Sequence, residues 1–471
     1  MVFSDLFFIY LFLPLCLGLY FLRRNLAYRN AVLIAFSLIF YAWGEPVWVF
    51  LLMLSAFIDF LNGKFIEKHR GESISKLGIV VSLLVNLGFL ATFKYSGFIV
   101  ENVNALLGTA LPVPSFALPI GISFYSFQSM SYVIDVYRGE VRAQKSYFRF
   151  LMYISMFFQL VAGPIVRYQT IADEIEDRHI TLSDFSEGLT RFVFGLGKKV
   201  IIANNVGNIA TELLTFTDKP ASVFSIWMGV IMFSLQIFFD FAGYSDMAIG
   251  LGRMAGFHFT ENFNYPYVSA TVSEFWRRWH ISMGSFFRDY VYIPLGGNRK
   301  HVYLNLFIVW LLTGLWHGAS WNFILWGLYF GLFIALERLF LGKLLAKIPR
   351  FISHIYLLFV VVIGWALFYF TDFTQLGVCF SSMFGFSGIP LYDDITFNTL
   401  MQNLFVILAA ILLSTPVVKI LDKKLYNLEI ESKAVFYASR ISKTGAAVII
   451  LLVSSLMLVA QTYNPFLYYR F

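Results

Sequence analysis

Apolar runs approaching the length of a membrane crossing recur from one end of this chain to the other, and few architectures can absorb them. Leu6 to Phe21, Leu77 to Phe93, Ile355 to Phe370 and Ala446 to Ala460 are examples. Such runs come close to the roughly 20 residues that cross a hydrocarbon core of about 30 Å. Inside a bilayer the backbone must satisfy its own hydrogen bonds, so each run is predicted to be helical. Roughly a dozen segments can be marked out, some short enough to be half-helices or re-entrant. No long hydrophilic insert, fixed-period repeat or low-complexity tract separates them. The prediction is an all-α polytopic membrane protein, with residues 1–471 forming a single domain.

Composition closes off the soluble alternative. Hydrophobic residues make up 59% of the 471 and charged residues 13%, and the mean hydropathy is +0.72, far from a soluble domain. Met1 to Asp5 offers no basic leader, and Arg23 and Arg24 follow the first apolar run where a cleavage site would need small residues. The first segment is therefore expected to stay as a span. The formal charge of +7 does not argue for nucleic acid, because the basic residues sit in short loops where they set topology. Cys16 and Cys379 both fall in apolar runs and are expected to be buried thiols, with no disulfide framework and no zinc set.

Basic loops alternate with loops that lack Lys and Arg. Arg23, Arg24 and Arg29 form one basic group, Lys64, Lys68, Arg70 and Lys76 the next, then Arg138, Arg142, Lys145 and Arg149, and late in the chain Lys419, Lys423 and Lys424. These are expected on the cytoplasmic side. The Gly44-Glu-Pro46 turn and the stretches Glu101 to Pro119 and Thr371 to Phe397 are expected outside. The N-terminus and the tail from Tyr463 to Phe471 then face outward. Between about Gly163 and Asn298 the alternation fails, because Arg167, Arg178, Arg191, Lys198, Lys199, Arg253, Arg277, Arg278 and Arg288 are mixed with apolar runs. Interfacial and broken helices are expected there.

Ionisable groups within a membrane are costly and so mark candidate sites. His317 lies in Gly314-Leu-Trp-His-Gly-Ala-Ser-Trp321. If Val302 begins at the inner surface, His317 follows about 15 residues later, a rise of about 22 Å that ends inside the core. From position alone, a histidine bonding a neighbouring helix fits as well as a catalytic one. His280 lies in Glu274-Phe-Trp-Arg-Arg-Trp-His-Ile-Ser-Met-Gly284. Trp276, Arg277, Arg278 and Trp279 suit an interfacial belt, or the lining for a phosphate-rich donor, since guanidinium forks match phosphate. Asp240 and Asp246, in Phe239-Asp-Phe-Ala-Gly-Tyr-Ser-Asp-Met247, have no basic neighbour in sequence. They could hold the histidines or an arginine, or belong to a proton path; a site-shaping role is preferred. Gly250, Gly252 and Ala255 match a dinucleotide fingerprint but follow a helical run and not a βαβ strand. Ser245 has Met247 where a nucleophile elbow needs glycine, and no His-Glu-x-x-His metal motif is present.

Several blocks together resemble the bacterial branch of the membrane-bound O-acyltransferase (MBOAT) family: Phe40-Tyr-Ala-Trp-Gly44, Leu118-Pro-Ile-Gly-Ile-Ser-Phe124, Ala162-Gly-Pro-Ile165, Asp240 to Gly250, Trp276 to Gly297 and Leu315 to Gly327. The likeness is nearest to the membrane components of alginate and peptidoglycan O-acetylation, and more distant for the protein of D-alanyl transfer to teichoic acid. The resemblance implies helices around a central tunnel, with His317 catalytic and His280 a second polar residue near the tunnel; Trp316 is a candidate substrate-binding residue. It implies an acyl group taken from a cytoplasmic thioester, with acetyl-coenzyme A as donor and no bound cofactor, and delivered outward to alginate, peptidoglycan or another exopolysaccharide. An extracytoplasmic acyltransferase partner of the SGNH type would complete the transfer. The tail Asn464-Pro-Phe-Leu-Tyr-Tyr-Arg-Phe471 resembles the aromatic tail of this branch, in which a tyrosine is a proposed acyl relay. Other members carry Phe at the position of Tyr469, so Tyr468 is the candidate carrier; without the resemblance, an aromatic belt on the last helix would explain the tail. D-alanyl-type transfer is the alternative within the family. A transporter or flippase for a small or lipid-linked substrate, and a non-catalytic scaffold, are the alternatives outside it.

Overall fold

The computed structural model describes residues 1–160, 163–460 and 467. Ala162 of one family-like block, and the tail tyrosine Tyr468, lie outside the described residues. Among the described residues every regular element is a helix. Seven helices among the described residues are long and apolar enough to cross a membrane, and an eighth is formed if the bent pair Asp394–Gln402 and Leu404–Leu413 counts as one span. Phe8–Leu22 and Val302–His317 are shorter apolar helices. The short and broken pieces expected in the middle of the chain are present, among them Tyr168–Glu176, Val272–Arg278 and Ile281–Phe287. Cys16 and Cys379 are buried free thiols.

Backbone contacts divide the chain into two compact units, Met1–Phe192 with Ser245–Glu261, and Val193–Tyr244 with Asn262–Phe471. In the first, Trp48–Lys68 packs against Ser75–Leu90 and Ile122–Arg138. The fully buried Asp59 carboxylate there accepts hydrogen bonds from Ser129 Oγ at 2.5 Å, Asn86 Nδ2 at 2.7 Å and Asn62 Nδ2 at 3.2 Å. These donors replace the water that a carboxylate loses on burial. The same unit holds Asp246 against Arg191 at 2.8 Å, with Glu261 on the other side of that guanidinium.

The second unit carries both candidate histidines. Its core runs through Ile202 to Ala242, Tyr267 to Trp279, Trp310 to Phe330 and Leu357 to Phe370. Val302–His317 and Trp321–Leu345 form an antiparallel hairpin whose closeness depends on glycine. A Cβ on Gly314 would fall on the Phe323 carbonyl oxygen, and one on Gly327 on the Trp310 carbonyl oxygen. The glycines of Gly314-Leu-Trp-His-Gly318 therefore serve helix packing, and that packing sets where His317 stands.

Candidate active site

His317 is the last residue of its helix, and the chain leaves it through Gly318 in extended geometry. Its ring is 3% exposed and is boxed edge-on by Trp316, Trp326 and Phe368, at centroid distances of 4.9, 4.7 and 5.4 Å. The ring of Trp316 also faces His280 at 5.8 Å. One tryptophan thus stands between the two histidines that sequence reading singled out.

His280 sits at the break between Val272–Arg278 and Ile281–Phe287, with φ 44° and ψ 55°. A left-handed backbone at a residue with a Cβ costs about 1–2 kcal/mol, so the surroundings must enforce it. Asn262 does so from a neighbouring segment: its carbonyl accepts from Ile281 N–H at 2.9 Å, and its side-chain Oδ1 accepts from Ser282 N–H at 3.2 Å and Ser282 Oγ at 2.9 Å. The Ser282 amide can only donate, so that side-chain atom of Asn262 is an acceptor. His280 Nδ1, 3.0 Å from the same oxygen, is therefore the protonated nitrogen. Nε2 is left with its lone pair, buried and without a hydrogen-bond partner among the described residues.

Burial pushes the His280 imidazole down to about 3. An unfolded histidine near 6.5 takes up a proton that the folded one refuses, so stability present above about pH 6.5 is lost as the pH falls toward 3, by about 1 kcal/mol per pH unit from this residue. Thermal unfolding followed by tryptophan fluorescence is expected to show this acid limb in the wild type and a shallower one in His280→Gln. Limbs of equal slope would remove the neutral-imidazole assignment.

A cavity of about 470 Å³ opens beside His280. Buried His280, Trp279, Met283 and Thr313 line it together with the exposed Arg277, Arg288 and Arg338. Trp276 also lines it and stacks edge-on to Trp310 and Trp326 at 5.0 and 5.4 Å. The helix carrying Trp276 and Arg277 is held at its N-terminus by Glu337, whose carboxylate accepts from Val272 N–H at 2.6 Å and from Ser273 N–H and Oγ at 2.9 and 2.6 Å. An acid there satisfies amides that no helix can satisfy internally.

The two adjacent arginines of the sequence motif part company. Arg277 faces the cavity, while Arg278 is tied to Glu274 at 2.9 Å and to the Asn264 carbonyl at 3.2 Å. Asp240 and Asp246 are not among the lining residues. Asp240 Oδ1 pairs with Lys199 Nζ at 2.6 Å, both side chains at most 3% exposed, and the adjacent Phe241 packs edge-on to His280 at 4.6 Å. Asn262, Glu337, Lys199 and Arg338 were not singled out from sequence. Glu337 alone carried a readable signal, as an acid inside the apolar Trp321–Leu345 run.

The arrangement offers a deep apolar slot with a neutral imidazole at its buried part, cations at its exposed part, and a second imidazole one tryptophan away. It suits a long, partly apolar group ending in phosphates, with a reacting atom delivered to the histidines. Comparison with known proteins gives the family. The sequence model described as MBOAT, membrane-bound O-acyltransferase family, matches residues 47–380. The chain is 38% identical to the "Probable alginate O-acetylase AlgI" of Azotobacter vinelandii, with 100% of both chains covered. It is 29% identical to the "Peptidoglycan O-acetyltransferase" of Helicobacter pylori over 100% of this chain and 98% of that one. A "Teichoic acid D-alanyltransferase" of Bacillus subtilis is 29% identical over 45% of this chain and 56% of its own. The acyl-transfer expectation is thereby favoured over the transporter and scaffold readings: this multi-pass membrane chain belongs to the membrane-bound O-acyltransferase family and is an O-acyltransferase.

Proposed function

We propose that this O-acyltransferase moves an acetyl group from acetyl-coenzyme A, bound from the cytoplasmic side, to an extracytoplasmic polysaccharide, with His317 as general base and Tyr468 as acyl carrier. The observation that carries the donor reading is the single cavity lined both by His280 and by Arg277, Arg288 and Arg338. Guanidinium forks suit the donor's phosphates, and the Trp276 and Trp279 walls suit its extended arm. The charge alternation of the loops puts the N-terminus and the tail outside, so that donor and acceptor approach from opposite faces.

As general base, His317 serves a hydroxyl. As the Tyr468 oxygen bonds to the thioester carbonyl carbon, its proton passes to the His317 imidazole; the carbon–sulfur bond breaks, and the leaving thiolate recovers that proton. A thiol titrates at about 8.5 and a tyrosine at about 10, so an acetyl-tyrosine remains an activated ester. An external partner with its own nucleophile, of the SGNH type, can accept the acetyl and pass it to the polymer. The two relatives named above that match over nearly their whole length carry alginate and peptidoglycan in their names, which favours acetyl over D-alanyl.

Arg277→Gln, Arg288→Gln and Arg338→Gln are each expected to raise KM for acetyl-coenzyme A by about three- to tenfold, with less change in kcat, since these exposed charges contribute modestly and are screened by salt. A donor lacking the 3′-phosphate should lose part of that difference. Unchanged KM in all three variants would exclude this cavity as the donor site. For the carrier, Tyr468→Phe is expected to abolish polymer acetylation while donor binding persists; normal acetylation in that strain would dismiss the relay and leave His317 in place.

A further inference from the structure

We propose that the buried Lys199–Asp240 pair is the seat of Leu467, holding through its main-chain amide the residue that precedes Tyr468 in sequence. The pair is built by close helix contact. A Cβ on Gly243 would lie 2.8 Å from the Gly195 carbonyl oxygen and 3.1 Å from Lys198 Cβ. That approach lets Lys199 of the Lys198–Ala203 turn reach Asp240 of Val223–Met254, both almost fully buried. One carboxylate oxygen, Oδ1, is taken by the ammonium. The other, Oδ2, accepts from Leu467 N–H at 2.9 Å, and the Leu467 side chain packs on the hydrophobic core of the same unit.

An ion pair that served only to join two helices is replaceable by well-packed apolar groups. What distinguishes this one is a third member, an amide from a segment belonging to neither helix. A buried carboxylate binding a main-chain N–H makes a charge-assisted bond, which demands no particular side chain and fixes the Leu467 amide. The seat also lies next to the chemistry in sequence and in space, because Phe241, the residue after Asp240, is the ring against His280. Asp240 is thus a positioning residue, and its purpose here rests on the acyl-carrier reading of Tyr468.

The test removes the seat from either side in the full-length protein. In Lys199→Met/Asp240→Leu, which removes both charges of the pair together, hydrogen exchange at the Leu467 amide is expected to rise at least tenfold, while the Thr374 and Gln375 amides capped by Asp372 keep their wild-type rates. Leu467→Pro, which deletes the donor N–H together with the leucine's core contacts, is expected to lower acetyl transfer to the acceptor at least tenfold in kcat with KM for acetyl-coenzyme A unchanged, and Leu467→Ala, which keeps the N–H, to lower it much less. In the double-variant background the proline is expected to have no further effect. Wild-type exchange at Leu467 in the double variant would overturn the seat, as would independent, additive losses from the two sides. Full transfer by Tyr468→Phe together with a protected Leu467 amide would remove the carrier reading and support the seat.

Discussion

His317→Ala is expected to reduce acyl transfer by about 10²- to 10⁴-fold, the range that a positioned general base contributes. The loss should fall on kcat, since His317 is not among the residues lining the His280 cavity, and KM for the donor should hardly move. Removing a ring enclosed by Trp316, Trp326 and Phe368 also leaves a void, so the variant is expected to unfold at a lower temperature. His317→Gln refills much of that space without restoring a base. Rates measured on both variants in detergent, alongside tryptophan-fluorescence melts, separate the two effects: glutamine should recover stability but not activity. Retained transfer by a folded His317→Ala protein would end the assignment.

Asp240→Ala is expected to be the most destabilising single substitution in this region, by about 3–5 kcal/mol, because it leaves the Lys199 ammonium buried without the carboxylate that faces it. Lys199→Met leaves the opposite charge and should cost a similar amount. Together, as Lys199→Met/Asp240→Leu, the substitutions exchange two desolvated charges for apolar contacts and are expected to recover most of the loss, since buried pairs are often replaceable in this way. Thermal unfolding of the two singles and the double closes the cycle. Additive destabilisation in the double variant would mean that the two groups do not interact.

The helical spans were legible because a membrane crossing needs only a long apolar run, a property local to the sequence. Burial of Cys16 and Cys379 followed for the same reason. The Trp276 to His280 block was legible as a special place but not in its division of labour. Neighbouring residues on a helix are turned by about 100° from each other, so Arg277 reaches the cavity while Arg278 is spent on Glu274 and the Asn264 carbonyl. Asp240 looked unpaired because its cation, Lys199, comes from another helix, and a contact made by helix packing leaves no mark in local spacing. Asn262 was invisible for the same reason: an asparagine in an irregular segment gains meaning only when the backbone at His280 folds over it. Glu337 could have been found, because the rule that flagged Asp240 as a costly acid in an apolar run applies to it equally.

The most direct measurement of the central claim is incubation of the purified protein with acetyl-coenzyme A carrying a radiolabelled acetyl group, following free thiol and protein-bound label together. Thiol release matched by label on the chain is expected, both lost in His317→Ala. Donor that stays intact with the wild-type protein, or is cleaved equally well by His317→Ala, would contradict it.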